Sequence, residues 1–160
     1  MPNKKIPVLE LNDGTKLGQS ISILRFLGKE HGYYPKDPLE AHKADYLIDC
    51  YFDNFIGIAL NSALPAKLLE SPFSIPSNKA IPDFIEFLEP YLKDDKFLCG
   101  DKLTIADFVI GGFYVNSIDN DKIAFGKEKW SELLTKYPNF KAYGERFYEE
   151  NKVYLMSREP

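Results

Sequence analysis

Cysteine, histidine, tryptophan and methionine are all scarce in this 160-residue chain, at two, two, one and two residues. Two cysteines, Cys50 and Cys99, are too few and too far apart for a disulfide framework or a zinc knuckle. They read as free thiols in a reducing compartment. His31 and His42 have no second ligand at useful spacing, so both are expected on the surface and no metal site is expected. Basic runs are missing, the net charge is −4 and the pI is about 5.3. A partner with a phosphate backbone is thereby disfavoured, and no nucleic-acid role is expected. Long apolar runs are missing too. The charged start, Met-Pro-Asn-Lys-Lys, has no apolar stretch behind it, so neither a secretory leader nor membrane insertion is expected. The expected location is the cytoplasm or another reducing compartment. Internal repeats and low-complexity tracts are absent.

What is present suits an ordinary folded domain, or one domain carrying a fragment of a second: 44% hydrophobic and 28% charged residues. At this size a chain hides roughly two-thirds of the surface it exposes unfolded. Twelve Phe and ten Tyr supply most of the bulk for a core.

The first stretch, Ile6 to Leu24, reads as strand, turn, strand and helix. Asn12-Asp13-Gly14 between two short apolar runs is a hairpin signal, because glycine accepts a positive φ at no steric cost. From Ile21 the apolar spacing becomes helical, with Ser20 as the expected N-cap and Gly28 or Gly32 as the stop. After the proline-punctuated residues 34–38, apolar side chains recur at helical spacing over residues 39–64: Ala44, Leu47, Ile48, Tyr51, Phe52, Phe55, Ile56 and Ala59. The pattern predicts a long amphipathic helix ended or bent at Pro65. Residues 71–82 read as a Ser/Pro loop. Further helices are predicted over 83–93, with Pro90 near its end, and over about 105–118, 128–136 and 139–151.

Leu103-Thr104-Ile105-Ala106-Asp107-Phe108 is the sharpest local signal. Thr104 as N-cap and Asp107 at N3 form a capping box, with Leu103 and Phe108 at hydrophobic-staple positions. This specifies a helix start and carries no chemistry. Losing Thr104 is expected to cost about 1 kcal/mol.

Four motifs, IPVLEL, GQSISILRFLG, GDKLTIADF and YPNFKAYGERFYEE…YLMSRE, stand in one order and spacing across nearly the whole chain. Together they resemble the cytosolic glutathione transferase family, nearer its sigma, alpha and pi classes. The resemblance implies an α+β, mainly α fold. Residues 1–34 would be a partial thioredoxin-like unit, holding its third and fourth strands and third helix. Residues 35–160 would be the complete all-helical C-terminal domain.

It also implies a glutathione site. The proline matching Pro7 is cis in the family, which turns the backbone of Ile6 toward the cysteinyl part of the ligand. Gln19 and Ser20 match the pair that holds the γ-glutamyl carboxylate, at a helix start whose dipole favours an anion. Asp49 matches an acid that, in the family, reaches the ligand of a neighbouring subunit, and Lys5 stands where it would meet the glycyl carboxylate. Each residue has a plainer reading as well. Ser20 is a natural helix cap, and Asp45, Asp49 and Asp53 recur every four residues as a solvated acidic stripe. Cys50 beside that stripe is a poor nucleophile, and Cys99 reads as packing. Tyr51, Phe52, Phe55, Phe113 and Tyr114 read mostly as core, with a part in an apolar substrate pocket as the alternative.

Against the family pattern, the sequence opens just before the third strand. The strand-helix unit that carries the thiolate-stabilising Tyr, Ser or Cys has no counterpart, so no catalytic residue is assigned. Asn3 stands near the place of an aromatic key that fills the partner subunit in some classes. Strand 6–11 is left with an edge that proteins normally cover. Another polypeptide, a second copy or a larger complex, is expected to cover it by strand addition. Three functions follow. The first is a non-catalytic structural or interaction subunit. The second is a glutathione transferase or lipid isomerase whose N-terminus is missing here, and the third is a glutathione- or ligand-binding protein without turnover. The first is placed ahead.

Overall fold

In the computed structural model, residues 5–63, 77–118 and 127–158 are described. Side chains expected inward at Phe55, Ile56 and Ala59, together with Asn3, Pro65 and residues 71–76, lie outside the described residues.

The chain opens with two short strands, β1 (Val8–Glu10) and β2 (Lys16–Gly18), paired antiparallel with Val8 opposite Gly18 and Glu10 opposite Lys16. The Asp-Gly turn forms as read: Gly14 takes φ 83°, its N–H donates to the Leu11 carbonyl at 2.9 Å, and Asp13 Oδ1 accepts the Thr15 N–H at 2.9 Å. An Asx turn of this kind stands in for a backbone turn.

Helix α1 (Ser20–Glu30) follows at once. Two details differ from the sequence reading. Ser20 is the first helical residue and Gln19 holds the cap position, with no side-chain cap hydrogen bond. Gly28 is no stop but a buried helical residue, so close to Ile105 that a Cβ there would run into its Cγ2. Gly32, at φ 79°, makes the turn out of the helix.

Helix α2 (Pro38–Ala63) begins with proline at its first position, where a missing N–H costs nothing. Asp37 caps it by accepting the N–H groups of Leu39 and Glu40 at 2.9 and 3.0 Å. Ala44, Leu47 and Ile48 are fully buried against α3 (Ser77–Leu88), which contributes Phe84, Ile85 and Leu88. Each such aliphatic or aromatic side chain contributes about 1.5–3 kcal/mol by leaving water. Residues 77–82, read as loop, are helical: α3 carries Pro82 within it. A 3-10 turn, Glu89–Leu92, continues the chain with Pro90 near its start.

The centre of the core is α4 (Ile105–Phe113), extended by a π-helical turn, Tyr114–Ile118. Ile105, Ala106, Ile110 and Phe113 are buried in it. The Asp107 carboxylate, fully buried, accepts the N–H of Thr104 at 2.7 Å, the hydroxyl of Thr104 at 2.9 Å and the N–H of Leu98 at 3.0 Å. Burial raises its pKa, against the lowering effect of those donors. After α5 (Lys127–Lys136), the long α6 (Pro138–Ser157) closes the core with Phe140, Tyr143 and Phe147. Glu89 caps its start by accepting the Phe140 N–H at 2.9 Å. The helix runs six residues past the predicted 151, because Leu155 still packs on the core. The fold is thus mainly helical with one small sheet, as the sequence implied.

Candidate functional site

The hairpin decides which residues meet. With Val8 opposite Gly18, one more step of antiparallel register sets Pro7 beside Gln19. Residues 6–7 and 19–20, distant in sequence, therefore share one end of the sheet, and Lys5, Ile6, Pro7, Gln19 and Ser20 are all exposed there. The Ile6–Pro7 bond is cis. Ile6 is 84% exposed.

Gln19 has φ 70° and ψ 111°, the one positive φ outside glycine among the described residues. An L-residue held in such a conformation costs on the order of 1–3 kcal/mol and persists where the surroundings impose it. Its effect here is geometric. The chain leaves β2 and enters α1 with no intervening loop, and the Ile23 N–H makes the first intrahelical bond, to the Gln19 carbonyl at 2.9 Å. The N–H groups of Ser20, Ile21 and Ser22 precede that bond and have no acceptor within the helix. No acidic side chain occupies this first turn. The helix start is a set of open donors with the positive end of the dipole behind it.

Asp49 is placed differently. It lies on α2, largely exposed, with Oδ1 3.6 Å from a terminal nitrogen of Arg25. Asp45 does not belong to a purely solvated stripe: it accepts Arg25 Nε–H and the Tyr34 hydroxyl, both at 2.7 Å. Arg25 is the residue that sequence reading passed over. Its i, i+5 place after Ser20 was visible, but nothing in the sequence signals a partner twenty residues on.

The groups with shifted acidity define what the arrangement can do. Burial pushes the Cys99 thiol up to about 11 and the Tyr51 phenol to about 12. Tyr34 is raised by its bond to Asp45, and fully buried Tyr143 is raised by desolvation. Every shifted phenol and thiol among the described residues moves upward, away from a nucleophile at neutral pH. Cys99 lines a hollow of about 410 Å³ with Tyr33, Glu40 and Thr104, near the C-terminal end of α1 and remote from Ser20. The hairpin end can hold an anion and an extended backbone. His31 and His42 are exposed as expected.

Known proteins resemble this chain in sequence and in fold. Residues 74–158 match the family model described as glutathione S-transferase, C-terminal domain. Hematopoietic prostaglandin D synthase of Gallus gallus is 30% identical over 147 residues, covering 91% of this chain and 68% of that protein. S-crystallin 3 of Enteroctopus dofleini is 24% identical over 177 residues, covering 99% and 77%. Among solved structures, a monomeric glutathione S-transferase of Necator americanus, Na-GST-3, superposes with TM-score 0.78 at 27% identity, covering 100% of this chain and 77% of that one.

Proposed function

We propose that this chain, which belongs to the glutathione S-transferase family, binds glutathione at the hairpin end without turning it over, as a ligand-holding and interaction subunit. The observation that carries the reading is Gln19. A non-glycine residue held at φ 70° directly before open helix N–H groups is the kind of strained conformation that clusters at ligand clamps. In this reading the γ-glutamyl carboxylate sits on Ser20 and the N–H groups behind it, with the Gln19 side chain alongside. The Ile6 backbone takes the cysteinyl part, and Lys5 meets the glycyl carboxylate as a point charge. Asp49 serves the ligand of a neighbouring copy.

Two things support the absence of turnover. Thiolate chemistry needs a hydrogen-bond donor beside the thiol, and among the shifted phenols described above Tyr34 already gives its hydroxyl to Asp45 while Tyr51 and Tyr143 belong to the helical core. The relatives also carry a crystallin name as well as a synthase name, so membership alone does not imply catalysis.

Among the described residues β1 pairs with β2 alone. The proposal extends to that second edge, which a strand of another polypeptide would cover.

Retention of the full chain on immobilised glutathione tests the reading. Retention that is lost in Ser20→Ala and Gln19→Ala supports it. A chain that flows through, or one whose retention survives both substitutions, contradicts it. Conjugation of a chromogenic electrophile well above the uncatalysed rate contradicts the absence of turnover.

A further inference from the structure

Asp45 gathers two donors from two parts of the chain. Arg25 Nε–H, on α1, donates to Oδ1, and the Tyr34 hydroxyl, in the link between α1 and α2, donates to Oδ2, each at 2.7 Å. The side chains of Arg25 and Asp45 are only 33% and 27% exposed, so this pair is screened less than a surface ion pair. A hydrogen bond between two charged groups is also roughly twice as strong as a neutral one.

The position of the pair along α1 gives it a function. The C-terminal half of the helix is fixed by the contact of Gly28 with Ile105 and by the bond from the Ile105 N–H to the Tyr33 carbonyl at 3.0 Å. Ile21 and Leu24 pack on the core from the other half of the helix, but apolar contacts are non-directional. Arg25 supplies the directional attachment, about 7.5 Å along the axis from Ser20 at 1.5 Å per residue. Tyr34 closes the loop: its N–H donates to the Gly28 carbonyl at 2.9 Å, and its hydroxyl reaches the same carboxylate as Arg25.

We propose that Asp45 is a positioning residue for the glutathione site: through Arg25 it sets the roll of α1, and with it the direction in which the Ser20, Ile21 and Ser22 N–H groups point. The inference rests on the glutathione reading given above. Asp45 touches no part of the ligand; it decides whether the γ-glutamyl carboxylate meets its donors in line. Tyr34 couples that roll to the exit of the helix.

The test is calorimetric titration of the full chain with two ligands. One is glutathione. The other is its analogue with 4-aminobutyryl in place of γ-glutamyl, which has the same length and lacks the carboxylate read by α1. The wild-type chain is expected to prefer glutathione. In Asp45→Asn that preference falls about tenfold, the scale of a charge-assisted hydrogen bond, while affinity for the analogue stays unchanged. Arg25→Gln does the same, and the double variant loses no more than either single one, since the two act as a unit. Tyr34→Phe keeps the ion pair, loses less, and carries the test if Asp45→Asn does not fold. A preference that survives these substitutions overturns the proposal. So does a parallel loss for both ligands tracking a lower Tm, which marks a merely structural role. A wild-type chain that binds both ligands equally overturns it as well, with glutathione binding intact. A wild-type chain that binds neither removes the glutathione reading and this inference together.

Discussion

The backbone N–H of Ile105 donates to the carbonyl of Tyr33 across 3.0 Å. One bond thereby joins the first residue of α4 to the loop that leaves α1. It also gives a partner to one of the first N–H groups of α4, which have no acceptor inside the helix. Thr104 gives its N–H to Asp107, and Ile105 gives its own to Tyr33. The start of the core helix is thereby tied to the exit of the helix whose other end forms the candidate site.

Asp107 is therefore expected to matter beyond its own turn. Asp107→Ala leaves the Leu98 and Thr104 N–H groups without their acceptor, at about 1–3 kcal/mol each. Chemical denaturation is expected to show a loss of several kcal/mol. Burial raises the Asp107 pKa above the ordinary 3.8, so folding favours the protonated form. That contribution is full below 3.8 and is lost as pH rises through the raised value. Stability of Asp107→Asn should accordingly fall less steeply than wild type over that acid window.

Gln19→Gly separates fold from site. Glycine accepts a positive φ without the Cβ penalty, so the variant is expected to be as stable as wild type, or about 1 kcal/mol more stable. Binding should still weaken, because the Gln19 side chain and its fixed entry angle are lost. Thermal melting and glutathione retention on the same preparation check both halves.

Cys99 is expected to resist alkylation. With its thiol raised to about 11 by burial, the thiolate is scarce at pH 8. The rate of iodoacetamide reaction at Cys99, followed by peptide mass spectrometry, should keep climbing toward pH 11.

The edge of β1 that no described residue pairs with predicts association. Light scattering on the full chain is expected to give a mass above 18.3 kDa. Glu10→Pro should lower that mass: with the Leu11 N–H donating to Thr15 across the hairpin, the Glu10 N–H faces the free edge, and a missing donor there blocks strand addition. A stable monomer contradicts the proposed covering strand.

How much of this was legible depends on whether the cause was local. The hairpin was readable because Asp13-Gly14 dictates its own turn, and the start of α4 because Thr104 and Asp107 lie three residues apart. The start of α3 was misread. Proline and serine argue for a loop, but Phe84, Ile85 and Leu88 bury against α2 and the helix tolerates Pro82. Ser20 was read one place off because the cap depends on a φ of Gln19 that composition does not encode. The tie of Asp45 to Arg25 was invisible for a related reason: its carboxylate spacing fits a solvated stripe equally well, and only the packing of α1 against α2 chooses.

The central claim is that the Ile6–Pro7 and Gln19–Ser20 end of the hairpin holds glutathione. Backbone amide NMR during a glutathione titration tests it most directly. The account predicts saturable shifts concentrated at Ile6, Gln19, Ser20 and Ile21, diminished in Ser20→Ala. Saturable shifts elsewhere with those amides unmoved, or no saturable shift at all, would contradict it.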